Sequence, residues 1–113
     1  MHEKILDTVR SMLGPSDVYT HFDSDIIIHI NSAINVLTQL GVGPEDGFMI
    51  DGDTTWDEYI DDDKYLQLVK QYIYLKTKKL FDPPSNSFVL DAIDKELKEL
   101  EWRIDVITSE EAL

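Results

Sequence analysis

The chain contains no cysteine. That absence excludes disulfides, thiolate metal sites and a thiol nucleophile, and it fits a reducing cytosol. No stretch approaches the roughly 20 consecutive apolar residues of a bilayer-spanning helix. The opening Met1-His2-Glu3-Lys4 has no apolar core of the kind a secretory signal carries. Bases are missing from the whole middle of the chain. Every Lys and Arg lies in residues 1–10 or 64–103, and the stretch 11–63 has none while it holds twelve of the 23 carboxylates. The other eleven acids and the ten bases nearly cancel, so the middle carries almost all of the net charge of −13. Such a surface repels a phosphate backbone and does not bind DNA by counterion release. A basic partner, or a passage along which DNA must slide without sticking, suits it better.

What is present reads as a single domain. The 113 residues are 42% hydrophobic, ordinary for a globular protein. Ile5, Leu6, Val9, Met12 and Leu13 recur at helical spacing and predict a first helix over 2–13, stopped by Gly14-Pro15. Phe22-Asp23-Ser24-Asp25 supplies N-cap candidates for a second helix with the stripe Ile26, Ile30, Ala33, Ile34, Leu37 and Leu40. Gly41 is placed to end it. Residues 42–60 read as irregular. Asp51-Gly52 is a type I′ turn signal, which predicts a short hairpin or an extended loop. Thr55-Trp56-Asp57-Glu58 matches a capping box, so a helical turn begins at Trp56.

Asp61, Asp62 and Asp63 read as the acidic start of a third main helix, running to about Leu80 on Leu66, Val69, Tyr72, Ile73 and Leu80. Asp82-Pro83-Pro84 breaks the chain. Ser85 or Ser87 then caps a last helix whose stripe, Leu90, Ile93, Leu97, Leu100, Ile104 and Ile107, alternates steps of three and four. The expected fold is all-α: a bundle of about four helices over residues 1–108, with an acidic loop or short β-hairpin between the second and third main helices. A frayed tail is expected over 109–113.

No chemistry-bearing motif stands out. His2, His21 and His29 form no i, i+4 pair. Asp51-Gly52-Asp53 with Asp57 and Glu58 resembles a calcium loop only faintly, because Thr55 takes a ligand position and Trp56 the position that needs glycine. Serines lack a glycine-flanked elbow, and no glycine-rich phosphate loop occurs. The reading is a non-enzyme with no cofactor. Phe48, Trp56, Tyr59 and Tyr65 flank the acidic region, where they serve either as interface anchors or as core.

The run Tyr72-Ile73-Tyr74-Leu75-Lys76-Thr77-Lys78-Lys79-Leu80-Phe81-Asp82-Pro83-Pro84, followed after a helix by Glu99-Leu100-Glu101-Trp102-Arg103-Ile104, resembles the C-terminal half of phage head–tail connector proteins. Asp25-Ile26 opening a helix that leads to Leu40-Gly41-Val42, and Trp56 ahead of the third main helix, extend the resemblance to residues 3–107. It implies a virion assembly protein, made in the host bacterial cytoplasm. Such a protein forms a ring below the portal protein and joins head to tail through a stopper or tail-completion protein, with DNA passing through and no membrane involved. It brings no catalytic residue. Phe81, Asp82, Pro83 and Pro84 would be a rigid corner between the last two helices, and Trp102 and Arg103 would belong to the packing or neighbour-facing surface of the last. Trp56, Asp61, Asp62, Asp63, Trp102 and Arg103 are the candidate assembly residues. The competing readings are an acidic DNA mimic, which the interleaved Lys95, Lys98 and Arg103 disfavour, and a generic helical adaptor for a basic protein.

Overall fold

A computed structural model describes residues 3–14, 20–61 and 65–112. Among them are five α-helices, α1 (Ile5–Leu13), α2 (Asp23–Gln39), α3 (Trp56–Tyr59), α4 (Leu66–Phe81) and α5 (Ser87–Ala112), and a 3₁₀ turn over Thr20–Phe22. No β-strand occurs among the described residues; an isolated antiparallel bridge joins Lys4 to Thr55. The all-α bundle expected from the apolar periodicity is the fold, and 42–60 is a loop leading into α3 rather than a hairpin.

Each helix buries the stripe that its sequence advertises. α1 contributes Ile5, Leu6, Val9 and Leu13, and α2 contributes Ile26, Ile30, Ala33, Ile34 and Leu37. Leu97, Leu100 and Ile104 of α5 complete the core, with Ile93 and Ile107 packed against its edge. α4 is central. It packs most extensively on α2 and also against α5 and α1, and it buries Val69, Tyr72, Ile73 and Thr77. Leu80, expected in that stripe, is exposed, because the helix ends one residue later and Phe81 turns instead onto the Phe22 ring, 5.5 Å away edge-to-face.

The helix ends show how local chemistry sets the boundaries. α2 closes in a Schellman motif: Val42 N–H donates to the Leu37 carbonyl (2.9 Å), and Gly41 N–H to that of Thr38 (3.0 Å), with Gly41 at φ +93°. α5 is capped by Asn86, not by Ser85 or Ser87. The Asn86 side-chain oxygen accepts from Phe88 N–H (2.8 Å) and Val89 N–H (3.4 Å). α4 carries no acid in its first turn. Asp61 lies ahead of it, and Asp62 and Asp63 lie outside the described residues. α5 continues to Ala112, through residues for which the sequence pattern predicts a tail. Its last turns are fastened because the Thr108 hydroxyl donates to the Leu40 carbonyl (2.6 Å) at the end of α2.

Candidate assembly surface

The acidic loop is held to the bundle by side chains rather than by a sheet. Asn31 of α2 takes both main-chain groups of Ile50: Ile50 N–H donates to Asn31 Oδ1 (2.8 Å), and Asn31 Nδ2 donates to the Ile50 carbonyl (3.2 Å). Ile5 N–H donates to the Thr54 carbonyl (2.9 Å) and Trp56 N–H to the Glu3 carbonyl (3.1 Å), which ties the loop to the start of α1. Within the loop, Asp51 accepts from Asp53 N–H (2.8 Å), Thr54 N–H (3.0 Å) and the Thr54 hydroxyl. Gly52 is not among the glycines with positive φ, so a type I′ turn does not form. An Asx turn is built in its place. The backbone donor of Asp53 first, then the Thr54 hydroxyl, holds the Asp51 carboxyl below its ordinary range.

Trp56 is a fastener inside this arrangement. It is 4% exposed, its indole N–H donates to Thr8 Oγ1 (2.8 Å), and Lys70 Nζ stands 5.2 Å from the ring centroid. Lys70 also reaches Glu3, at 3.9 Å. The expected capping box forms in altered shape: the Thr55 hydroxyl meets the Glu58 carboxylate (3.1 Å) instead of a backbone amide. Tyr59 and Tyr65 are buried too, and Tyr59 stacks on Phe48 with centroids 4.8 Å apart. Burial pushes the Tyr59 hydroxyl well above the usual tyrosine range. Gly43 (φ +75°) makes room for that ring, since a Cβ there would stand 2.7 Å from Tyr59 Cε1. Of the four aromatics flanking the acidic region, Trp56, Tyr59 and Tyr65 are therefore core, not surface anchors.

The carboxylates are outside. Glu45, Asp46, Asp51, Asp53, Asp57, Glu58 and Asp61 are all exposed. Asp57, Glu58 and Asp61 line a shallow groove with Gly41, Gly43 and Tyr65. Asp53 pairs with Lys4 (3.2 Å). Among the described residues no group of three or more His, Asp or Glu is placed to hold a metal ion. Asp51, the best-placed candidate for a calcium loop, spends its carboxylate on the loop's own donors.

α4 ends at Phe81 and α5 begins at Ser87, with Asp82, Pro83 and Pro84 in the connection between them. Asp82 N–H donates to the Lys78 carbonyl (2.9 Å), and the Asp82 carboxylate pairs with Lys78 Nζ (3.1 Å). Beyond it, α5 turns its seam to α4, where the Tyr72 hydroxyl donates to Glu101 (2.8 Å). Burial, then that carboxylate, raises the Tyr72 hydroxyl above its ordinary range. Trp102, two positions from Leu100 and Ile104 and so on the far side of the helix, is 66% exposed beside the exposed Arg103. Phe88, at 84%, shares that outer side.

Three features were not anticipated by sequence patterning: the Asn31 clamp, the exposed Phe88, and an apolar groove. The groove runs between α2 and the 46–49 loop and is lined by Ile28, Asn31, Ser32, Asn35, Asp46 and Met49. Ile28 is 60% and Met49 77% exposed. Single apolar residues outside a periodic stripe give no signal in a sequence.

By class, this is a small helical bundle whose distinguishing chemistry lies on its outer faces. The family model described as phage connector protein matches residues 5–111, which spans the bundle from α1 to the end of α5. The chain belongs to the phage connector protein family, whose members are structural virion components. No curated protein and no solved structure matches it. No helix among the described residues is long and apolar enough to cross a membrane.

Proposed function

We propose that this protein forms a ring beneath the portal of a tailed phage and joins the DNA-filled head to the stopper or tail-completion protein, assembling in the host cytoplasm. The observation that carries the reading is the family match across the whole helical bundle. A ring needs a heterologous subunit contact that closes by rotation, and a bundle with an acidic loop on one side and a mixed-charge helix on another supplies two unlike surfaces. The seven exposed carboxylates between residues 45 and 61 support a role facing the DNA passage or a basic partner. A like-charged wall lets the duplex slide without adhering. Asp61 belongs to that face, and Asp62 and Asp63 extend it in sequence.

Light scattering tests the reading: the chain is measured alone and after mixing with portal protein. A multimer of defined stoichiometry, or a stable complex with the portal, is expected. A chain that stays monomeric and does not bind the portal overturns the assignment. Replacing Asp61, Asp62 and Asp63 together by Asn is expected to impair ring assembly, partner docking or DNA passage, and unchanged particle assembly and infectivity would remove the acidic face from the mechanism.

A further inference from the structure

We propose that two copies of the free chain pair antiparallel through the outer face of α5, about a two-fold axis that passes near Trp102. The inference goes beyond the ring reading and does not rest on it. A two-fold contact uses the same patch on both copies, and it concerns the chain before other virion components bind.

α5 carries a second seam. Its inner stripe, Leu97, Leu100 and Ile104, is buried, and the helix rests on the bundle chiefly through α4. On the opposite side Phe88, Ala92, Lys95, Glu99, Trp102 and Val106 are all exposed and follow one another at alternating steps of four and three. That spacing keeps them on one line along the helix, and it is the pattern by which helices pair. Phe88 is 84% and Trp102 66% exposed.

The net charge of −13 makes two copies repel over most of their surface. The outer side of α5 is nearly neutral by contrast. Three cations, Lys95, Lys98 and Arg103, are interleaved there with four acids, Asp91, Glu96, Glu99 and Asp105. Lys98, Arg103 and Asp105 are exposed and make no ion pair among the described residues. Glu96 meets the Gln71 amide (3.3 Å) and no cation.

These charges fix both orientation and register. At about 100° per residue, Lys98 and Asp105 lie on one flank of the outer stripe, and Glu96 and Arg103 lie on the other. In an antiparallel pair related by a two-fold axis, each flank of one helix meets the same flank of its mate. With the axis level with the Leu100–Glu101 peptide bond, Lys98 stands across from Asp105 of the second copy, and Glu96 across from its Arg103. Each pair is offset by only about 3 Å along the helix, and symmetry doubles both. The two Trp102 rings then stand about 4–5 Å apart along the axis, at the centre of the contact, where aromatic anchors contribute most. Nearly the whole length of the 26-residue helix overlaps its mate. Asp91 and Glu99 each stand one turn from Lys95 of their own helix, within reach of its charge.

Other arrangements set like charges together. Sliding the second copy by one heptad puts Lys98 against Lys98 and Glu96 against Glu96. Sliding it the other way puts Asp105 against Asp105 and Arg103 against Arg103. A parallel pair puts Lys98 against Arg103 and Asp91 against Glu96. Flanking charges of this kind choose partner and orientation in helix pairs.

Sedimentation equilibrium on the isolated chain tests the pairing at low ionic strength, where exposed charges are least screened. The wild type is expected to be a dimer. Trp102→Ala should raise the dimer Kd about tenfold or more, and Lys98→Glu about fivefold or more. Adding Asp105→Lys to Lys98→Glu exchanges the two signs and should return Kd to within about twofold of the wild type. All three positions are exposed, so the helical circular-dichroism signal should not change. A wild-type chain still monomeric at about 0.5 mM overturns the proposal. So does a dimer that Trp102→Ala leaves equally tight, or a charge exchange that restores nothing. If the wild type is a larger multimer, Trp102→Ala and Lys98→Glu must lower its mass and the exchange must recover it. An unchanged mass overturns the pairing and leaves the ring reading standing.

Discussion

Trp56 joins three parts of the molecule that are far apart in sequence, so the cost of loosening it can be worked out from its contacts. Trp56→Phe keeps an aromatic ring in the core but removes the indole N–H that donates to Thr8 Oγ1 at 2.8 Å. A hydrogen bond of this kind contributes about 0.5–1.5 kcal/mol net. The smaller ring also packs less well and attracts Lys70 Nζ, now 5.2 Å from the indole centroid, less strongly, a further loss of about 0.5–1 kcal/mol. The expected destabilisation is roughly 1–3 kcal/mol, against about 3–5 kcal/mol for Trp56→Ala. Unfolding entropy near 2.1 cal/mol/K per residue turns each kcal/mol into a melting-temperature drop of about 4 °C for a chain of 113 residues. Trp56→Phe should therefore lower the midpoint by about 4–12 °C in a helix-signal melt. Thr8→Val isolates the hydrogen bond in a double-mutant cycle, with an expected coupling of about 0.5–1.5 kcal/mol. Two substitutions that add within about 0.3 kcal/mol would show that the Trp56–Thr8 bond stabilises nothing, and would refute the view of Trp56 as a fastener.

Two other outcomes follow from the loop. Gly43→Ala should destabilise the fold by about 1–3 kcal/mol in urea unfolding, since a left-handed backbone costs an L-residue about 1–2 kcal/mol and the new methyl would displace Tyr59; an unchanged midpoint would mean that the loop simply relaxes. The Asp51 carboxyl should titrate by NMR with a midpoint below 3.8. Its pKa is lower in the folded chain than in the unfolded one, so its contribution is fully present above the unfolded value and fades as pH falls through the folded one. A midpoint at or above 3.8 would mean that the Asx turn is not held in solution.

The helices were legible because burial and periodicity coincide. Ile26, Ile30, Ala33 and Leu37 are one face of α2, and all of them are buried. The end of α4 ahead of Pro83-Pro84 was legible because proline cannot continue a helix. Capping was harder to read. Ser85, Asn86 and Ser87 are all competent caps, and only the path of the chain selects Asn86. Asp51-Gly52 carries two local instructions, a hairpin turn and an Asx turn, and the choice between them rests on Asn31 and the start of α1, which dock the loop from far away in sequence. The surface was the least legible part. Trp56 and Trp102 are the same residue type, yet one is core and the other exposed, because exposure is decided by which neighbours a helix acquires.

The Asn31 clamp also bears on how copies of this chain can touch when crowded. Ile50, in the extended part of the loop, already has its amide and its carbonyl engaged by one side chain, and Thr54 and Trp56 are engaged with the start of α1. A stretch whose main-chain groups are taken is a poor template for strand addition, the route by which open sheet edges recruit neighbours indiscriminately. Recognition between neighbouring copies is thereby left to side chains, which can discriminate among partners where a bare peptide edge cannot.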